Sequence, residues 1–260
     1  RLADLLKAEQ IEMSWRTGFA LINHYVANNQ WQKAVETGKK YTKKYPSNYY
    51  IGLKYAKALC ETGQYQPCIS LLSRMQVLPN EGSYAGRAVY REANLYRAME
   101  QLSHKNYKQV VKSVETSKEW PENLGVGKPY DNMIDNRLED YLEAKAAAGQ
   151  GDSRKTSALL AAVADYTISR SHFESGNLLS ALALRESGKV QEADHMVAAW
   201  STDFPENRVV QWCTAIYRGE KEKAVGMLQS RNDQTNTTPW EASFRDSNFD
   251  LIVRLFSTEQ

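Results

Sequence analysis

The chain has 260 residues, 42% of them hydrophobic and 25% charged, which is ample material for a buried core and excludes a disordered segment. Its 33 Lys plus Arg against 31 Asp plus Glu leave a formal net charge of +2, too even a balance for wholesale binding of nucleic acid or a membrane surface. No apolar run approaches the roughly 18 residues of a membrane helix, no secretion signal opens the chain, and the three cysteines include no Cys-x-x-Cys pair for zinc or redox work.

The first residues, Arg1 followed by Leu2, Leu5, Leu6 and Ile11, lie inside a helical pattern and read as a fragment or a processed chain. From there one unit recurs. Asn29, Trp31 and Ala34 are closed by Tyr45, Pro46 and Asn48. Gly63, Tyr65 and Cys68 are closed by Leu78, Pro79 and Asn80, and Lys105, Tyr107 and Val110 by Trp120, Pro121 and Asn123. Shorter versions begin at Gly151 with Thr156 and at Gly219 with Ala224, and between them Gly188 and Ala193 are closed by Phe204, Pro205 and Asn207. Six copies cover most of the chain.

Each mark has a physical reason. Gly or Asn accepts the left-handed backbone that ends a helix, and the small residue five positions later lets the next helix approach closely. Proline cannot continue a helix and Asn caps a new one. Between the marks, Leu21 and Tyr25, then Leu59, Leu71, Leu72 and Met75, then Leu178, Leu182 and Leu184 fall at helical spacing. No stretch alternates apolar and polar residues between hairpin turns, so no strand is predicted. The class is all-α, and because a helix pair cannot shelter its apolar stripe alone, the copies must stack on one another.

This spacing resembles the tetratricopeptide repeat. With Pro46 as the closing proline, Ala34 becomes the small residue of the second helix and Tyr25 the aromatic of the first. Departures are Gly38 and Val114 in place of a bulky residue, Pro79 and Pro121 one residue early, and a longer first helix in the third copy. The resemblance implies a right-handed α-solenoid of about six repeats. Residues 1–118 hold repeats one to three, 119–136 an inter-repeat loop, 137–230 repeats four to six, and 231–260 a polar loop with a capping helix, all as one superhelical domain. A second resemblance rests on Trp120, Pro121, Glu122 and Asn123, the run from Leu124 to Tyr130, and Arg137, Leu138, Glu139 and Tyr141. These residues look like the repeat-bearing half of large bacterial proteins whose N-terminal half is similar to galactose-mutarotase-like β domains, implying a carbohydrate-related neighbour on the same chain.

Candidate chemistry is sparse. Gly125, Gly127 and Lys128 superficially suggest a phosphate cradle, but Pro129 follows the lysine and no strand precedes, so the segment reads as an ordered loop with Tyr130 packed on a helix. His24, His104, His172 and His195 stand singly, without the i, i+4 partner of a zinc helix. Glu139 and Glu143 read as part of a solvated helix face, and Cys213 as an ordinary buried thiol. Cys60 and Cys68, symmetric about the turn from Glu61 to Pro67, are either a disulfide or two small packing residues. Asn236, Thr237 and Thr238 form a glycosylation sequon without meaning in a bacterial chain. No metal, cofactor or catalytic residue is expected.

What the repeat resemblance implies is a concave face lined by first helices, and it assigns to that face Arg16, Phe19 and Asn23, then Tyr50, Lys54 and Lys57, then Tyr96 and Met99, then Tyr141 and Lys145, and Arg185. Rings interleaved with Lys and Arg suit an acidic or carbohydrate-like ligand or a peptide carboxylate. The carboxylate clamp of chaperone-binding repeats would occupy the places of Phe19, Asn23, Lys54, Glu92 and Tyr96. Only Asn23 matches, so chaperone tails are not the expected partner. The expectation is a non-catalytic scaffold binding a protein, a peptide or its own N-terminal domain, soluble in cytoplasm or periplasm. The alternative is an accessory module packed against a carbohydrate-active β domain.

Overall fold

Each junction where the sequence marks a turn closes in the same way. In the computed structural model, which describes residues 2–79, 84–168, 173–232, 246 and 248–258, Asn29, Gly63, Lys105, Gly151, Gly188 and Gly219 all have positive φ, between 53° and 80°. The amide after each of them donates five residues back: Gln30 to Tyr25, Gln64 to Leu59, Asn106 to Gln101, Asp152 to Ala147, Lys189 to Leu184 and Glu220 to Ala215, at 2.8 to 3.0 Å. This is the Schellman closure, which satisfies a helix's last carbonyls and turns the chain back on itself within three residues.

The helices so separated are α1 (Leu2–Ile11), α2 (Trp15–Ala27), α3 (Trp31–Lys44), α4 (Tyr49–Glu61), α5 (Tyr65–Leu72), α6 (Ala85–Ser103) and α7 (Tyr107–Ser117). They continue as α8 (Arg137–Gly149), α9 (Ser153–Ile168), α10 (Gly176–Glu186), α11 (Val190–Asp203), α12 (Arg208–Tyr217), α13 (Lys221–Asn232) and α14 (Phe249–Thr258). Among the described residues there are also two 3-10 turns, Glu122–Leu124 and Asp131–Met133, and no strand.

The chain forms two compact units, residues 1–97 with 115–133, and 98–114 with 134–260. Within the first, α2 packs on α3, α3 on α4, α4 on α5, and α2 also on α4. Within the second, each helix from α8 to α13 packs on the next, with α8 also on α10 and α10 on α12. Consecutive helices pack in antiparallel succession and the first helices of neighbouring pairs touch, the packing of an all-α repeat array. Of the small residues that the pattern placed after the turns, Ala34, Cys68, Val110, Ala193 and Ala224 are buried, while Thr156 is half-buried. Gly18 on α2 shows how close the approach is: a Cβ there would lie 2.2 Å from the Tyr41 ring of α3. Gly38, which departs from the repeat pattern, makes room for Tyr55 of α4 in the same way, with a Cβ clash at 2.6 Å.

Several local expectations need correction. Asn48 and Asn207 cap α4 and α12 as read, Asn207 accepting the Val209 and Val210 amides at 2.9 and 3.1 Å. Asn123 caps nothing. Its side-chain amide donates to the Leu72 and Met75 carbonyls at 2.9 and 2.7 Å, and its own carbonyl accepts from Val77, tying the loop to the end of α5. That helix stops at Leu72, well before Pro79, so Met75 falls outside it. Asn80 lies outside the described residues. Tyr130 is 81% exposed rather than packed on a helix. The closing helix is seen from Phe249 to Thr258, while Arg231 and Asn232, placed in the polar loop, belong to α13. Residues 233–245, with the sequon at Asn236, lie outside the described residues. Cys60, Cys68 and Cys213 are buried free thiols.

Glu139 and Glu143 are 1% and 8% exposed, not solvated, and Glu143 pairs with Lys155 of α9 at 2.8 Å. Beside them Arg137, 2% exposed, knots the second unit together. Its guanidinium binds both oxygens of Asp135 at 3.0 and 2.8 Å, Glu174 at 2.7 Å, and the side-chain oxygens of Thr167 and Asn177 at 2.7 Å each, with the Tyr166 ring 4.6 Å away. Asp135 in turn accepts Asn248, next to α14, at 3.0 Å. A buried guanidinium is tolerated only when its donors are answered in this way.

Three outcomes follow for stability. Gly18→Ala should lower the unfolding free energy by about 1–3 kcal/mol through overpacking, while Lys105→Gly should raise it by up to about 1 kcal/mol by relieving the left-handed backbone, both read from urea midpoints. Arg137→Met should cost about 3–5 kcal/mol, since it removes the donor that the buried Thr167 and Asn177 oxygens and the partly buried Asp135 and Glu174 carboxylates share; a midpoint unchanged from the parent's would show the knot to be incidental.

Candidate functional site

Ser14 halts the chain before α2, its hydroxyl accepting the Thr17 amide at 3.2 Å, and this cap sets the register in which Trp15 and Phe19 share a face one turn apart. Asn48 does the same for α4, accepting the Ile51 amide at 3.2 Å, so that Tyr50 and Lys54 share a face there. Because α2 packs on α4, the two faces meet. Trp15 stacks on Tyr50 with centroids 6.1 Å apart, Phe19 meets Tyr50 edge-on at 6.3 Å, and Tyr49 stacks on Tyr50 at 4.3 Å. The Arg16 guanidinium lies 4.5 Å from the Trp15 ring centre and the Lys54 ammonium 6.0 Å from that of Phe19.

Tyr50 is 48% exposed and Arg16 is exposed, while Trp15, Phe19, Asn23 and Lys54 are half-buried. Among the described residues, neither Arg16 nor Lys54 is taken up by a carboxylate. The hydrogen bond that Tyr49 shares with Tyr50 holds the Tyr49 phenol above its usual pKa, with burial adding to the effect. The Tyr49 phenol is therefore neutral at ordinary pH, and two cations edge the ring cluster. Aromatic faces of this kind accept apolar or sugar surfaces, and the cations accept carboxylates.

The other residues assigned to this face have different work. Lys57 binds Glu61 at 2.6 Å and Glu92 of α6 at 2.7 Å. Burial alone would lower its pKa, but the Glu92 charge and the two carboxylate bonds outweigh that and push it above the usual lysine range. Tyr96 and Met99 are 8% and 3% exposed, Tyr96 against the Tyr65 ring, so neither presents a surface to a partner. Tyr141, 3% exposed, donates to Glu186 of α10 at 2.7 Å, and Lys145 binds the same carboxylate at 2.7 Å. Arg185 covers the Tyr217 ring at 4.8 Å and donates to the Tyr217 carbonyl at 2.8 Å. Lys57, Tyr141, Lys145 and Arg185 thus join first helices of successive pairs, and the charges of Lys57 and Lys145 are spent on carboxylates of neighbouring helices.

Trp15 and Tyr49, members of the cluster, were not among the residues picked from sequence. Both directly follow a capping residue, Ser14 and Asn48, and that shared position is the signal that finds them. His24 lies edge-on to Tyr25 at 5.8 Å, His104 and His195 are exposed, and His172 falls outside the described residues. Among the described residues no group of three or more His, Cys, Asp or Glu side chains comes together to hold a metal, and no helix is long and apolar enough to cross a membrane. No family model matches the chain, and no curated protein or solved structure matches it either.

Tyr217 gives these helix ties a measurable signature. Burial, reinforced by the bond from its hydroxyl to Asp194 at 2.8 Å, pushes its phenol up to about 12. The unfolded phenol releases its proton near 10, so the stabilisation is complete below about pH 10 and lost as pH climbs toward 12. Tyr217→Phe should flatten that alkaline decline and remove one late-titrating phenol from the absorbance titration at about 295 nm.

Proposed function

We propose that the chain is a non-catalytic interaction scaffold, a right-handed solenoid of about six tetratricopeptide-like repeats, that binds an acidic peptide segment or partner domain through the first helices of its N-terminal pairs. The observation that carries this reading is the cluster of Trp15, Phe19, Tyr49 and Tyr50 with Arg16 and Lys54, whose cations no carboxylate among the described residues neutralises. Exposed stacked aromatics beside unspent cations are costly to leave in water and are the composition of interface hot spots. The identical closures at Asn29, Gly63, Lys105, Gly151, Gly188 and Gly219 support the repeat count.

A second surface has its own support. α1 carries no buried residue, and Leu6 and Ile11 are 40% and 88% exposed, while Glu9 holds the helix to Lys40 and Tyr41 of α3 through polar bonds at 2.9 and 2.8 Å. An apolar edge attached in this way suits packing against a neighbouring domain, including a β domain carried on the same polypeptide.

The test is quantitative capture. Tyr50→Ala with Lys54→Ala should reduce recovery of the principal partner by about tenfold or more, with the helical circular dichroism unchanged, because both side chains are at least partly solvent-facing. Lys57→Ala is the contrast, expected to affect stability more than capture. Equal recovery by the parent and the Tyr50/Lys54 variant would remove the proposal, and loss of recovery only with Leu6→Asp and Ile11→Asp would transfer the function to α1.

A further inference from the structure

In the second unit a cavity of about 330 Å³ opens among α10, α12, α13 and α14. Its apolar wall includes Trp212 of α12, Val225 and Leu228 of α13 and Phe256 of α14. Val225 is 39% exposed, so packing within the chain does not use up the apolar side of α13. Arg185, Arg218 and Lys221 also line it, all three exposed at their outer ends, and no carboxylate does among the described residues. The nearby acids have other partners: Asp194 accepts the Tyr217 hydroxyl at 2.8 Å, and Glu220, which feels Arg218 only as its weakest influence, binds Lys223 at 2.7 Å.

Apolar side chains that line an open cleft face water at a standing cost, and the cations that line it have no carboxylate in the same lining among the described residues. One molecule with an apolar tail and a negative end answers both conditions. The volume lies at the lower end of the roughly 300–1,000 Å³ usual for small-ligand sites, which are mostly apolar with a few placed polar groups. Arg185 gives one nitrogen to the Tyr217 carbonyl, and the rest of its guanidinium fork remains to meet a carboxylate.

We propose that this cavity binds an apolar-tailed carboxylate, its tail against Trp212, Leu228 and Phe256 and its carboxylate between Arg185, Arg218 and Lys221. The site belongs to the second unit and shares no residue with the aromatic cluster on α2 and α4, so either can fail without the other. Such a carboxylate comes either as a free medium-chain fatty acid or as the last residue of an apolar peptide.

Calorimetric titration of the whole chain tests it, with octanoate as probe and octanol and octylamine as controls of equal length. Octanoate should saturate one site per chain and bind about tenfold or more tighter than octanol, with octylamine weaker still. Lys221→Glu, at an exposed position that the fold does not need, should weaken octanoate on the order of fivefold to tenfold. Val225→Trp should fill the space and abolish binding without lowering the melting temperature. A short peptide ending in Leu that displaces octanoate, while its C-terminal amide does not, assigns the site to chain ends; octanoate binding that the peptide leaves untouched assigns it to free acids. Absence of saturable octanoate binding, equal affinity for octanol, or an unchanged affinity in Lys221→Glu would overturn the proposal.

Discussion

Six helices of this chain end on a residue in left-handed conformation whose successor donates its amide five residues back. That closure is the constraint on which the rest depends. It satisfies the helix's terminal carbonyls, and it reverses the chain so abruptly that the next helix can only lie antiparallel against the last one. The residue five positions on is small in most copies, and Ala34, Cys68, Ala193 and Ala224 are buried there. Glycine supplies the left-handed backbone in most places. Asn29 and Lys105 supply it at a conformational cost that the packing of the flanking helices offsets.

Packing helix upon helix leaves the first helices of successive pairs in contact, and the fold uses charge there as well as apolar surface. Lys57 with Glu92, Lys145 and Tyr141 with Glu186, and Arg185 with Tyr217 all span such contacts. The positions that would face a ligand in a repeat array are therefore partly committed to holding the array together. Where they are not committed, as at Arg16 and Lys54, cations stand beside stacked rings with no acid among the described residues to answer them. On the proposed reading, recognition surface is what remains after the inter-helix ties have been made. The same division applies within the second unit, where Arg137 is wholly absorbed into a buried knot while Arg185, Arg218 and Lys221 stand around an apolar space.

Loop geometry follows from the same economy of hydrogen bonds. Asn48 and Asn207 satisfy the free amides of the helices they precede. Asn123, with the same Pro-Glu-Asn surroundings as Asn207, satisfies carbonyls at and beyond the end of α5, because α5 is short and leaves Leu72 with only the long bond from the Met75 amide at 3.3 Å. One residue type thus answers whichever backbone groups its neighbourhood leaves unsatisfied.

Local chemistry alone determined a good deal of this protein. Turn residues, capping residues and helical spacing act within a few positions of one another, so the all-helical class, the turn sites and most helix limits could be read from the chain. Trp15 and Tyr49 were legible in principle, since each follows a cap. Burial of a polar side chain depends on residues distant in sequence, and only the tertiary structure decided that Glu139 and Glu143 are inside, that Tyr130 is outside, and that Lys57, Lys145 and Arg185 are tied to neighbouring helices. The cavity among α10, α12, α13 and α14 is the extreme case. Its cations and its apolar wall come from four helices, and no pattern along the chain records that they surround one space, because a cavity is set by how far apart helices pack and not by the residues of any one of them.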